Sequence, residues 1–267
     1  MSERRRRQRL KSPVRPSGRR YGATLKAAPS FHHQGPTRIS AIDALRGAAI
    51  LAMIGYHFAF DLSWFGVFRA DFNNDALWLS LRAIIVSAFL LLVGVSLVLA
   101  RLARISAHRF WKRIALIVLC ALLVTAGSYF TFPQSFITFG ILHCIAVSSL
   151  IARPLVRYPI AALITGLAVV GIGLQVHLTL FDARWLNWIG MMTHKPATED
   201  YVPIFPWLGV VLLGVAAGAW LARKDYRPLQ PLSRSSPRWL NWLGRHSLLV
   251  YMVHQPVLLG ILRVLIR

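Results

Sequence analysis

The first chemical signal lies in the ionisable residues of a single apolar stretch. From Ser40 to Asp61 the chain reads S-A-I-D-A-L-R-G-A-A-I-L-A-M-I-G-Y-H-F-A-F-D. Its middle is apolar enough for a bilayer, yet Asp43, Arg46, His57 and Asp61 interrupt it, and ionisable groups at membrane depth are costly enough to mark functional sites. At about 100° per residue, Asp43, Arg46, Ile50, His57 and Asp61 share one narrow stripe of a helix. His57 lies about 16 Å along that helix from Arg46, so one element carries a group near each side of a membrane. Asp61, one turn beyond His57, is spaced to hold its tautomer, as suits a general base taking a proton from a hydroxyl or amine. An interhelical hydrogen bond, or a pair facing outside water, accounts for the same two residues.

Further candidates lie along the chain. His143 stands in F-G-I-L-H-C, and His254 with Gln255 in Y-M-V-H-Q-P. Pro256 withholds a donor from the Met252 carbonyl and predicts a bend beside His254. Taken singly, each histidine is explained by a structural polar contact; taken together, His57, His143 and His254 line an outward-facing cavity. Two readings fit Arg82: its side chain snorkels to water, or it turns inward to hold an anionic or developing-oxyanion group. Trp207, in Phe205-Pro206-Trp207, either shapes the mouth of that cavity or anchors the helix at the interface. On the opposite side, Asp43 and Arg46 with Arg101, Arg104, Arg109 and Arg113 suit the geometry of a phosphorylated donor, although topology alone also places arginines there.

The elements that must position these groups are membrane helices. The chain of 267 residues is 56% hydrophobic and 15% charged, well below the roughly 25% charged of soluble domains, and its mean hydropathy is +0.53. Seven apolar segments are predicted, at about 41–60, 77–100, 112–130, 136–152, 158–176, 203–222 and 245–265. They define an all-α polytopic membrane domain over 39–267. Ser40 with Asp43 predicts a capping box at the first helix, and Gly47 leaves room for a neighbouring backbone. The linker 177–202 predicts a short amphipathic helix over the cavity, or an interfacial helix without a catalytic role.

Residues 1–38 form a predicted disordered basic tail, cytoplasmic and attracted to anionic lipid rather than to specific nucleic acid. Net charge is +22, and the remaining basic residues crowd the linkers after the second, fourth and sixth segments, while the alternate linkers are poor in them. By the positive-inside rule the N-terminus is cytoplasmic and the C-terminus extracytoplasmic. Cys120 and Cys144 fall in apolar segments without metal or redox spacing and are packing residues; no metal site is expected. No H-E-x-x-H, Walker lysine or Rossmann fingerprint appears, and no lysine lies in the interior of a predicted span to form a retinal Schiff base, Lys112 standing at the very start of the third. A membrane transferase and a small-solute or proton-coupled transporter are left open by the residues alone.

Four stretches carry a resemblance that chooses between them: Arg38–His57, Phe139–Val147, Asp200–Gly214 and Leu243–Pro256. In this order they resemble the bacterial DUF1624 family, itself similar to the catalytic domain of heparan-alpha-glucosaminide N-acetyltransferase within the transmembrane acyltransferase group. The resemblance covers about 38–265. It implies a bacterial inner-membrane protein that moves an acyl group from cytoplasmic acetyl-CoA, or another acyl-CoA, to an extracytoplasmic sugar hydroxyl or amine of a glycan or glycolipid. His57 would be the base, with Arg82 or His254 stabilising the oxyanion. The lysosomal relative's proposed acyl-accepting histidine follows its first span, and residues 62–76 here contain none, so direct attack is implied rather than a covalent acyl-histidine.

Overall fold

The computed structural model describes residues 39–266; the basic tail lies outside the described residues. The fold is all-α, with no strand among the described residues. Its helices are α1 (Ser40–Trp64), α2 (Ala76–Leu102), α3 (Ala107–Thr131), α4 (Ile141–Leu155), α5 (Pro159–Gln175), α6 (Ile204–Arg223), α7 (Gln230–Ser235), α8 (Arg238–Arg245) and α9 (Ser247–Leu265). Five of them, α1, α2, α3, α6 and α9, are long and apolar enough to cross a membrane. At 1.5 Å per residue, α4 and α5 are only about 22 and 26 Å long, below the roughly 30 Å of a hydrocarbon core. The seven apolar segments therefore become five helices of full length and two shorter apolar ones. Leu116, Leu119, Leu122, Leu123 and Phe130 of α3 are exposed, an apolar surface that suits lipid rather than water.

The core centres on α6, which packs against α2, α4 and α5. Val211, Leu212 and Val215 on α6 are fully buried, as is Leu90 on α2. Gly94 and Gly214 let these two backbones touch: a Cβ on Gly94 would run into the Val211 carbonyl, and one on Gly214 into that of Leu91. Small residues at helix crossings allow such approach where the hydrophobic effect no longer drives association. Cys120 and Cys144 are buried and free, within two apolar clusters.

Three local expectations need correction. Ser40 does not cap α1: the N-cap is Ile39 with no side-chain bond, the free Ala41 N–H donates to Ser233 Oγ at 3.2 Å, and Asp43 turns toward arginines instead. The fourth apolar segment does not start its helix at 136. Gly140 is extended, and α4 begins at Ile141, whose N–H is capped by Asp200 Oδ2 at 2.9 Å, 59 residues away. The 177–202 linker forms no amphipathic helix. It contains two 3-10 turns, Thr179–Asp182 and Asn187–Ile189, tied back by Leu178 N–H to Met191 O.

The region after α6 holds more structure than its charge suggested. In α8 the buried residues Asn241 and Gly244 are three apart, one helical face, and that face lies on α1. A Cβ on Gly47 would strike the Leu240 carbonyl, and one on Gly244 the Asp43 carbonyl. The expected room at Gly47 is thus filled by α8, while Trp239 and Trp242 stay exposed on its other side.

Candidate active site

α1 and α9 pack against each other and bring His57 and His254 together, with ring centroids 5.0 Å apart. His254 is buried. Its Nδ1 lies 2.6 Å from the Tyr251 carbonyl oxygen, and since a carbonyl only accepts, Nδ1 carries the proton and Nε2 of the neutral ring keeps its lone pair. That Nε2 is buried and has no hydrogen-bond partner among the described residues. α9 continues through Pro256. His57 is partly buried and also packs edge-on against Tyr56, at 5.9 Å.

Asp61 does not hold His57. Its Oδ1 accepts from Gln255 Nε2 at 2.8 Å, an interhelical bond that draws the carboxylate toward α9. Asp61 is 2% exposed, and its Oδ2, like Gln255 Oε1, lacks a partner among the described residues. The α1–α9 contact therefore gathers three buried acceptors without donors: His254 Nε2, Asp61 Oδ2 and Gln255 Oε1.

His143 is engaged elsewhere. Its Nδ1 accepts from the Gly140 N–H at 3.3 Å, and its Nε2 lies 3.4 Å from Thr125 Oγ1, whose hydroxyl donates to the Ile137 carbonyl at 2.8 Å. The ring caps α4 and fastens it to α3, a structural role.

Arg82 and Trp207 meet in a cavity of about 400 Å³ under the 177–202 loop, together with His177, Lys195, Tyr201 and Phe205. Arg82 is half-buried and within electrostatic reach of Tyr56, the neighbour of His57. Asp200 joins the two regions, acting electrostatically on Tyr251 and on both Arg82 and Lys195. Burial pushes the Asp200 carboxyl up from its ordinary value, against the opposing pull of the Ile141 N–H, Arg82 and Lys195. Burial also brings the Lys195 ammonium down, helped by Arg82.

At the other end of α1 the charges close on one another. Asp43 Oδ1 accepts from Arg46 Nη1 at 3.2 Å, and Asp43 Oδ2 lies 3.5 Å from Arg245 Nε on α8. Arg46 Nη2 donates to Ser96 Oγ of α2 at 2.9 Å, and the Ser96 hydroxyl donates to the Leu92 carbonyl. Arg101, Arg104, Arg109 and Arg113 are exposed, and among the described residues none of them bonds Asp43 or Arg46. The structure thus brings together Asp43 and Arg46, and separately His57, Asp61, His254 and Gln255, but leaves the α2–α3 arginines apart.

Sequence reasoning missed Ser96, Lys195, Asp200 and Arg245 as site residues. A serine late in a leucine-rich helix, the twenty-first of its 27 residues, carries no local signal. Arg245 was detectable: W-L-N-W-L-G-R alternates apolar and polar residues at helical spacing.

A bundle of apolar membrane-length helices, with an imidazole pair at one end and an ion cluster at the other, defines a polytopic membrane protein with an internal polar site. Its sequence matches the family described as heparan-alpha-glucosaminide N-acetyltransferase, catalytic, over residues 38–256. The chain belongs to that family. No curated protein and no solved structure gives a significant match.

Proposed function

We propose that the protein is a membrane acetyltransferase that uses acetyl-CoA from the cytoplasm and acylates a sugar hydroxyl or amine of an envelope glycan or glycolipid on the far side of a bacterial inner membrane. The observation that carries this reading is the set of three buried acceptors between α1 and α9. Among the described residues all three lack a hydrogen donor, and leaving such groups unmatched costs about 1–3 kcal/mol each. A sugar hydroxyl or amine brings the missing donors. In the same reading all seven apolar helices cross the membrane, the N-terminus faces the cytoplasm, and the His57 end faces out.

The fixed tautomer of His254 reverses the division of labour expected from sequence. A neutral ring with its proton on Nδ1 cannot donate from Nε2, so His254 is the base. It takes the proton as the acceptor oxygen or nitrogen attacks the thioester carbonyl, and buried Asp61, held by Gln255, offsets the positive charge that forms. His57 donates to the developing oxyanion. The tetrahedral adduct then collapses, the carbon–sulfur bond breaks, and the proton on His254 passes to the thiolate, giving CoA–SH and the acylated sugar. On the inner side Arg46 and Arg245, held by Asp43, meet the donor's phosphates.

The test uses purified protein in nanodiscs with radiolabelled acetyl-CoA and envelope glycans. Label is expected to move to glycan in wild type and to stay on CoA in His254→Ala. Solute flux into liposomes without acyl donor, with no label transfer, would instead establish the transporter reading.

A further inference from the structure

The segment between α6 and α9 carries a surface that acyl transfer does not use. It joins two helices long and apolar enough to cross a membrane, and a single residue, His246, separates the end of α8 from the start of α9. α8 is therefore held where a membrane-length helix begins. Its orientation is fixed by backbone approach to α1, since a Cβ on Gly244 would strike the Asp43 carbonyl and one on Gly47 the Leu240 carbonyl. Trp239 and Trp242 lie on the face turned away from buried Asn241 and Gly244, and they are 57% and 53% exposed. The Trp242 ring packs on His246, with centroids 4.5 Å apart. An indole is best placed at a membrane–water boundary, where its ring meets acyl chains and its N–H meets headgroups.

Charge on the same segment is one-sided. From 223 to 246 the cations Arg223, Lys224, Arg227, Arg234, Arg238 and Arg245 face a single acid, Asp225, and all six are exposed. Arg245 lies 3.5 Å from Asp43. Among the described residues the side chains of Arg234 and Arg238 make no hydrogen bond or ion pair, and they flank the two indoles in sequence. Topology alone accounts for the cations. Two indoles turned outward beside them by a braced helix call for an apolar neighbour as well, and an anionic leaflet supplies both the apolar boundary and the opposite charge.

We propose that α8 is a seat for anionic phospholipid, in which Trp239 and Trp242 enter the boundary of the leaflet on the Asp43 side while Arg234 and Arg238 hold lipid phosphates. The same helix presents Arg245 to Asp43, so the lipid fastens the brace on α1. This assignment stands independently of acyl transfer.

The experiment uses the full chain in phosphatidylcholine nanodiscs that contain about 30% of brominated phosphatidylcholine or of brominated phosphatidylglycerol, the anionic arm. Bromine quenches nearby indoles, and subtracting the fluorescence of a Trp239→Phe, Trp242→Phe double variant isolates these two of the nine tryptophans. Their signal is expected to be quenched about twofold more by the anionic lipid than by the neutral one, a preference that shrinks as salt rises from about 50 to about 500 mM. Arg234→Gln with Arg238→Gln should abolish the preference. Arg101→Gln with Arg109→Gln removes two exposed cations of another linker and should leave it in place. Equal quenching by the two lipids, or equal loss of preference in the two arginine variants, would overturn the anionic seat. Indoles that neither lipid quenches would overturn it too: quenching by aqueous acrylamide would then place them in water, and protection from acrylamide would assign the face to a partner protein.

Discussion

The two ends of α1 differ in how their ionisable side chains are matched. At the Asp43 end Asp43, Arg46, Ser96 and Arg245 meet with opposite charges or donor–acceptor pairs in contact, and α8 is pressed against them through Gly47 and Gly244. At the His57 end His254, Asp61 and Gln255 each keep a buried acceptor without a partner among the described residues. A closed network rigidifies a junction, whereas an open one costs stability unless something enters to complete it. The comparison teaches that one helix is braced at its Asp43 end and left with open hydrogen-bonding capacity at its His57 end.

The largest effect is expected where the network is open. His254→Ala should lower the rate of acetyl transfer by about 10²–10⁴-fold, the usual contribution of a positioned acid–base group, with thermal unfolding in detergent little changed. Because His57 acts in the same step, adding His57→Ala should cost much less than a second full factor. Label-transfer rates and unfolding curves on the same preparations check this. A variant that unfolds early but transfers normally would make the His57 end a brace as well.

A smaller effect, on stability, belongs to the Asp43 end. Gly244→Leu places side-chain atoms where the Asp43 carbonyl lies, and overpacking of this kind typically costs about 1–3 kcal/mol. A lowered unfolding temperature is expected, together with weaker donor binding, because α8 carries Arg245. If Gly244→Leu left stability unchanged and abolished transfer, α8 would not brace α1 in the way the contact implies.

The contrast between the ends also explains how far sequence reading reached. Helical spacing placed Asp43, Arg46, His57 and Asp61 on one stripe because 3.6-residue periodicity is local, and the helix positions followed from apolar runs in the same way. Which partner each polar group chooses is not local. Asp61 lies four residues from His57 yet bonds Gln255, 194 residues on. His143 looks like a member of a histidine cluster, but Gly140 and Thr125 claim it. Asp200 belongs to a conspicuous motif, D-Y-V-P-I-F-P-W, yet its role as the cap of α4 appears only once the 177–202 loop folds back. The pattern of residue types reveals where polarity enters the membrane, while packing decides whether it is satisfied there.

Asp200 provides the smallest and sharpest test, because it is matched, like Asp43, by a donor on another element. Burial holds its carboxyl above the ordinary value of about 3.9, so the folded protein binds this proton more tightly than the unfolded chain does. The stability it contributes is fully present below the ordinary carboxylate range and is lost as pH climbs through the raised folded-state value. Asp200→Asn keeps an oxygen to accept from Ile141 N–H and removes the titration. The unfolding temperature of wild type relative to Asp200→Asn should therefore fall as pH rises from 4, with transfer retained in the variant once α4 is capped. A difference independent of pH would mean that the carboxyl is not enclosed. A difference that grew with pH would mean that Arg82 and Lys195 outweigh burial, and Asp200 would then act as their counterion.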